Sequence, residues 1–224
     1  EWLVDVIESA WLNSINASAL IATKASRINR ATGGRPALEF GLRRSQDMFG
    51  MRSTRSAAAG GILSTSNADA ARKYGLKWIG THAHSFVMKS DTELAAFEKW
   101  LRHNPNNATV LIDTYDTIAG AKIAIQASKN TGVKLKGVRL DSGDLAYLSI
   151  EVRKLLNAAG MTDCNIVASN DLDEYTIESL RAQGAQIDIY AVGKNLVTAA
   201  DQPALGGVYK LKSIDGAAKM KISG

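Results

Sequence analysis

The chain has 224 residues, 46% of them hydrophobic, one cysteine (Cys164), and a formal net charge of +5 from 27 Lys and Arg against 22 Asp and Glu. That length and apolar content support one large core, with a second small domain as the other reading, and a lone cysteine excludes a disulfide framework or a multi-cysteine metal site and suits a reducing cytoplasm. Dispersed basic residues argue against a nucleic-acid partner, and neither a signal peptide nor an apolar run of the roughly 18 residues a membrane span needs is visible. A modest positive surplus is what a protein holding phosphate esters would carry. The chain begins at Glu1 inside a helical pattern and stops in Lys-Ile-Ser-Gly without a capping pattern, so we expect a fragment of a longer enzyme.

Helical apolar spacing runs from Trp2 to Ala31, through Leu3, Val6, Ile7, Ala10, Trp11, Ile15, Leu20, Ile21 and Ile28, as one long helix or two. Gly33-Gly34 stops it, and Pro36 to Gly41 predicts a short strand ending in Leu42, Arg43 and Arg44. Residues Gly50 to Ser56 read as a mobile loop or a helix start, and Ala57 to Leu63 lead into Ser64-Thr65-Ser66-Asn67. A helix over Ala68 to Tyr74 closes at Gly75, and a strand over Leu76 to Thr81 delivers His82, His84 and Ser85. An amphipathic helix follows over Asp91 to His103, with Leu94, Phe97, Trp100 and Leu101 on one stripe.

Thr109 to Ile112 is a strand ending in Asp113-Thr114-Tyr115-Asp116, followed by a helix from about Ile118 to Lys129. Gly137 to Leu140 then runs into Asp141-Ser142-Gly143-Asp144 and a helix closed by Gly160. Asn165 to Ala168 ends in Ser169-Asn170-Asp171 before a helix over Asp173 to Gln183, and Ile187 to Val192 ends in Gly193-Lys194-Asn195. Gln202 to Ile214 turns through Pro and Gly into a short strand that leaves the repeat. Alternating strand and helix predicts an α/β fold with a parallel sheet of about seven strands. Polar residues at nearly every strand end favour a barrel, in which those ends share one mouth. No GxGxxG or GxxxxGK[ST] pattern supports a dinucleotide or Walker-type site.

Several strand-end residues could carry chemistry, and each has a plainer reading. Asp141 suits hydroxyl or metal binding and Arg139 a phosphate or carboxylate, or the two form an internal salt bridge; Asp144 reads as a helix cap. His82 and His84, at i and i+2 of one strand, would face the same side. They lack a third ligand at zinc spacing, so a base, a nucleophile or a structural core histidine are the readings for each. Asp113 and Asp116 could hold magnesium, with Asp116 more simply a cap. Phe40 and Arg43 offer a ring face and a guanidinium to a flat anion. Ser169-Asn170 and Gly193-Lys194 could present N–H groups to a phosphate or simply turn the chain.

Six ordered strings, GRPALEFGLRRSQ, GTHAHSFVM, LIDTYDT, GVRLDSGDLAYLS, IVASNDLDEYTIESL and DQPALGGVYKL, closely resemble the nicotinate phosphoribosyltransferases, type II phosphoribosyltransferases related to the nicotinamide and quinolinate enzymes. The resemblance covers about Leu12 to Ile214. It implies an irregular, incomplete (β/α) barrel over residues 35–200. Residues 1–34 would lead from an α/β sandwich domain that is missing or only partly present, and 201–224 would return toward it.

The implied reaction joins nicotinate and 5-phosphoribosyl 1-pyrophosphate, with Mg2+ carried mainly by the pyrophosphate. ATP hydrolysis is coupled through phosphorylation of the histidine of G-T-x-A-H-S, here His84. By resemblance Phe40 stacks on the pyridine ring, Arg43 lies near ring and phosphates, and Ser66 occupies a position where amide-using relatives carry an acidic residue. Arg139 and Asp141 contact ribose and pyrophosphate, Asp113 is a nearby carboxylate, and Ser169, Asn170, Gly193 and Lys194 fall on phosphate-binding strand ends. A homodimer with a shared site is implied, each site completed by an aromatic from the partner's amino-terminal region. Departures from the pattern are His82 at an expected apolar position, Leu63-Ser64 in place of an acidic residue and Gly, and Ala191 and Lys194 in place of Gly and Thr.

Overall fold

The computed structural model describes residues 3–222; the expectations touching Glu1, Trp2, Ser223 and Gly224 lie outside them. Seven parallel strands form one sheet: β1 (Ala37–Glu39), β2 (Ser64–Thr65), β3 (Lys77–Trp78), β4 (Thr109–Leu111), β5 (Gly137–Leu140), β6 (Asn165–Ala168) and β7 (Ile189–Val192). Their order is β3-β2-β1-β7-β6-β5-β4. That is the cyclic order of a barrel, joined between β7 and β1 and left open between β3 and β4, so the expected incomplete barrel is what the chain forms. A short antiparallel hairpin, β8 (Ser213–Ile214) with β9 (Ala217–Ala218), stands apart.

The helices are α1 (Leu3–Ala31), α2 (Gly50–Ala59), α3 (Ala68–Tyr74), α4 (His84–Met88), α5 (Glu93–His103), α6 (Thr117–Thr131), α7 (Leu145–Ala158), α8 (Glu174–Ala182) and α9 (Lys194–Val197). The first segment is thus one helix, and Gly50 to Ser56 is a helix start rather than a loop. The expected strand over Leu76 to Thr81 shortens to Lys77–Trp78; Ile79 N–H still reaches Thr65 O at 3.0 Å, and the chain then leaves the sheet and turns into α4.

Strand alternation sorts side chains to two faces. Ala37, Val138, Leu140, Ile166, Ala168, Tyr190 and Val192 point outward into the main core beneath the helices. Leu38, Val167 and Ala191 point to the concave side, where Phe40, Ile79 and Ile189 pack against them. Arg139 lies between two outward residues and therefore points inward too. Three helices start at an aspartate lying three residues beyond another strand-end polar group. Asp116 accepts from Ala119 N–H, Asp144 from Ala146 and Tyr147 N–H, and Asp173 from Thr176 N–H. Each such cap contributes about 1 kcal/mol. The second residue of each pair, an aspartate, fixes where the helix begins, which leaves Asp113, Asp141 and Asn170 outside the caps at the sheet's carboxyl edge.

A buried charge cluster ties α1 to the barrel. Lys24 Nζ lies 2.8 Å from Glu174 Oε2 and 2.9 Å from Asp201 Oδ1, and Arg27 pairs with the same two carboxylates at 2.9 and 2.6 Å. Burial pulls the Lys24 ammonium down, but its bonds to Glu174 and Asp201 outweigh this and hold it above its ordinary range. No helix among the described residues is long and apolar enough to cross a membrane.

Candidate active site

At the carboxyl ends of β1, β5, β6 and β7 lies a polar cavity of about 200 Å³, lined by Phe40, Arg43, Arg44, Arg139, Asp141, Ser169, Asn170, Asp171, Gly193 and Lys194. The strands deliver these groups because each ends at the same level of the sheet. Phe40 N–H continues the ladder to Val192 O (2.7 Å), and Ser169 N–H reaches Leu140 O (2.8 Å). Gly41 then lets the 3-10 turn over Leu42–Arg44 pass close beneath α9, since any Cβ there would run into the Val197 methyls.

Arg139 organises the floor. Its Nε donates to Ser169 Oγ at 2.9 Å, one Nη to Thr81 Oγ1 at 3.0 Å and the other to Asp141 Oδ1 at 2.9 Å. Its guanidinium lies over the Phe40 ring, 5.3 Å from the centroid, which adds a cation–π contact. Ser169 Oγ passes a hydrogen bond on to the same Asp141 oxygen. The salt-bridge reading of Arg139 and Asp141 is therefore correct for one oxygen only, and Asp141 Oδ2 remains turned toward His84.

His84 starts α4 and meets the carboxylates from the other side. Its Nδ1 lies 3.2 Å from Thr114 Oγ1, while its Nε2 is 3.8 Å from both Asp113 Oδ1 and Asp141 Oδ2. The Asp113 side chain is 1% exposed. Its Oδ2 accepts from Asp141 N–H (2.7 Å) and Ser142 Oγ (2.6 Å), and its Oδ1 is buried with no hydrogen-bond partner. An orphaned buried carboxylate oxygen is costly, and the imidazole of His84, 3.8 Å away, is the donor-bearing group beside it.

On the opposite rim Lys194 Nζ pairs with Asp171 Oδ2 at 2.9 Å and Asn195 Nδ2 donates to Asp171 O at 2.7 Å. Asn170 and Asp171 hold φ of 94° and 47°, left-handed values that non-glycine residues avoid and that concentrate at functional sites. Among the described residues no three His, Cys, Asp or Glu side chains form a metal cage. Magnesium, which keeps much of its shell in water and phosphate oxygens, needs only one or two carboxylates, and the free Asp141 Oδ2 fits that requirement.

One expectation changes. His82 and His84 do not share a strand face: the chain turns at Ala83, which has extended backbone before α4. His84 faces the carboxylates while His82 is 5% exposed within a cluster of Phe86, Phe97 and Trp100, at ring separations of 5.3, 5.8 and 5.2 Å. Burial pushes the His82 imidazole down to about 4, so it is neutral at physiological pH. Ser66 follows β2 at the same edge of the sheet, its N–H donating to Glu39 O at 3.0 Å beside Phe40; like Asp113 and His84 it lies beyond the residues that line the cavity itself.

Sequence reasoning passed over Glu39 and Glu93. Glu39 is 1% exposed and its carboxylate accepts from Gly41 N–H, from Thr54 Oγ1 (3.0 Å) and from Thr65 Oγ1 (2.6 Å), locking β1, β2 and α2 at the rim. A charged residue inside an otherwise apolar strand was the available signal. Glu93 is 8% exposed behind the site; burial first, then Asp113 and Asp116, push its carboxyl up.

The chain matches the nicotinate phosphoribosyltransferase (NAPRTase) family model over residues 37–221. It is 48% identical to the nicotinate phosphoribosyltransferase of Bacillus subtilis, over 96% of this chain and 44% of that protein. It is 42% identical to one from Mycobacterium tuberculosis, over 97% of this chain and 48% of that protein. The fold is similar to human nicotinic acid phosphoribosyltransferase, with a TM-score of 0.75 and 26% identity over 97% of this chain and 53% of that one. A nicotinate-nucleotide pyrophosphorylase from Pyrococcus furiosus gives a TM-score of 0.76 at 26% identity, over 85% of this chain and 50% of that one. The chain spans about half the length of the curated relatives it matches. With the family model matching most of the chain, the chain belongs to the nicotinate phosphoribosyltransferase family.

Proposed function

We propose that the protein joins nicotinate to 5-phosphoribosyl 1-pyrophosphate, forming nicotinate mononucleotide and pyrophosphate in the cytoplasm. ATP hydrolysis is coupled through transient phosphorylation of His84. The observation that carries this reading is the convergence of Arg139, Asp141, Asp113 and His84 on one strand-end cluster, within 2.7–3.8 Å of one another's partners, in a chain of this family.

The ring nitrogen of nicotinate attacks C1 of the ribose as the C1–pyrophosphate bond breaks, and the leaving group takes the electron pair. Positive charge grows on the ribose and negative charge on the pyrophosphate. Asp141, held by Arg139 and Ser169, offers a fixed carboxylate to the ribose side; Ser169, Asn170, Gly193 and Lys194 receive phosphate oxygens. Lys194 leaves Asp171 to do so, an exchange that costs little because both side chains are largely exposed.

Phe40 supplies a face for the pyridine ring and Arg43 a guanidinium for its carboxylate, holding nitrogen and C1 in line. Magnesium bound with the pyrophosphate would neutralise the leaving group, with Asp141 Oδ2 as its protein ligand. With Nδ1–H donated to Thr114, His84 Nε2 keeps the lone pair that attacks the γ-phosphorus of ATP, releasing ADP.

Active dimers sharing their sites complete this reading. So does a sandwich domain reached through residues 1–34 and 201–224. It is supported by the tail running back along α1, where Tyr209 N–H donates to Glu8 and its ring packs on Trp11 at 5.9 Å.

Phosphohistidine mapping by mass spectrometry after incubation with Mg-ATP, kept above acid pH, tests the coupling on the parent chain, His84→Ala and His82→Ala. Label lost only in His84→Ala is the expected result. Label surviving in His84→Ala, or absent from the folded parent, refutes it. Competition among nicotinate, nicotinamide and quinolinate tests the ring.

A further inference from the structure

The sheet is open between β3 and β4, and no backbone ladder joins these edges. In a parallel strand alternate residues turn their N–H and C=O groups to opposite neighbours. Ile112 N–H serves β5, through Arg139 O at 3.1 Å, so Leu111 N–H faces the open side. Leu111 is 1% exposed, and water cannot satisfy that donor.

Side chains close the seam instead, in sequence order along the segment after β3. Asn107 Nδ2 donates to Gly80 O at 2.6 Å, Arg139 to Thr81 Oγ1 at 3.0 Å, and Leu111 N–H to His82 Nε2 at 3.2 Å. His84 Nδ1 then meets Thr114 Oγ1 at 3.2 Å. The segment that carries His84 is thus held across a gap by side chains alone. The central bond belongs to His82.

We infer that His82 is a positioning residue for His84: it replaces the missing strand pairing by accepting the Leu111 N–H, and so aims the neighbouring imidazole at Asp113 and Asp141. The assignment goes beyond the proposed reaction and takes from it only that His84 is the reacting group. Three features fit the role. Nε2 must be unprotonated to accept, which leaves the proton on Nδ1, 3.4 Å from Ala83 O at the turn into α4. The ring is clamped by Phe86, on α4 itself, and by Phe97 and Trp100 on α5, so its direction is set by packing. Burial also keeps it neutral across the working pH range. An apolar residue would fill the same space and leave Leu111 N–H orphaned.

The test compares the parent protein with His82→Phe, which keeps the ring packing and loses the acceptor, and His82→Gln, whose Oε1 reaches about as far as Nε2. Three readouts apply: ring 15N NMR shifts, exchange of the Leu111 amide, and the nuclear Overhauser contact between the His84 ring and the Thr114 methyl. The parent should show a neutral Nδ1–H tautomer at His82, a protected Leu111 amide and the His84–Thr114 contact. In His82→Phe the protection and the contact should be lost, and the rate of His84 phosphorylation from Mg-ATP should fall by about tenfold or more at saturating ATP with KM little changed. His82→Gln should recover most of each.

A His84–Thr114 contact and phosphorylation rate unchanged in His82→Phe would overturn the inference. So would a parent spectrum with Nε2 protonated or a freely exchanging Leu111 amide, and this settles the matter even if His82→Phe does not fold. If the parent takes no phosphate at all, the proposed coupling fails, and the NMR contacts still decide the role of His82.

Discussion

Replacing Arg139 by Lys keeps the charge and removes the fork. The guanidinium satisfies Ser169, Thr81 and Asp141 at once from three nitrogens in one plane, a geometry a single ammonium cannot reproduce. A hydrogen bond to a charged group is worth about 1.5–3 kcal/mol. Lys can keep one of the three bonds, and the released hydroxyls regain part of theirs from water, so each lost bond costs about 1–1.5 kcal/mol and the pair about 2–3 kcal/mol. At about 1.4 kcal/mol per factor of ten this is a loss of about 30- to 150-fold.

The loss should fall on function more than on stability, because the three partners are the groups that hold Asp141 and the segment leading to His84. Calorimetric binding of 5-phosphoribosyl 1-pyrophosphate, together with kcat/KM for nicotinate turnover, measures it, with thermal melting to confirm folding. A folded Arg139→Lys protein within about threefold of the parent in both would refute the view that this three-way bond organises the site.

Lys24→Met leaves Glu174 and Asp201 with Arg27 alone and should cost about 2–4 kcal/mol in urea unfolding. The double variant with Glu174→Leu should cost clearly less than the sum of the singles, and additive losses would show the cluster to be uncoupled. The same cluster sets a pH window. The bond from Lys24 holds the Asp201 carboxyl below its ordinary 3.8, so its contribution is present above that value and lost as pH falls through the folded value. Lys24 is held above its ordinary 10.5, so its contribution is present below that value and lost as pH rises through the folded one. Both flanks of the stability profile should flatten in Lys24→Met. Gly120→Ala would drive a Cβ into Ile112 O, where α6 crosses the end of β4; a loss of at least about 1–3 kcal/mol in the same assay is expected, and a neutral result would mean that α6 can shift freely.

Much of this protein is legible in one dimension because its signals are local. Strand β6 over Asn165–Ala168 and helix α3 over Ala68–Tyr74 stand where apolar runs, caps and closing glycines place them. The three-residue spacings of Asp113 with Asp116, Asp141 with Asp144 and Asn170 with Asp173 separate site residue from helix cap, since only the second of each pair lies within reach of the first-turn N–H groups. Parallel strand–helix alternation determined that the first residue of each pair would meet the others at one edge.

What the sequence could not decide depended on contacts between distant segments. The β3 region read as a longer strand with two histidines on one face. With no strand pairing across the open seam, its backbone leaves the sheet, and the pocket formed by Phe86, Phe97 and Trp100 draws His82 into the core while His84 turns toward the strand-end carboxylates. Glu39 looked like an ordinary strand residue until Thr54 and Thr65, from a helix and a strand well along the chain, closed around it. The sequence by itself determined the order of strands and helices and the chemistry at each strand end, because both follow from local pattern and capping. Which of two histidines reaches the carboxylates was settled only in three dimensions, by a missing strand partner and the buried amide that had to be satisfied in its place.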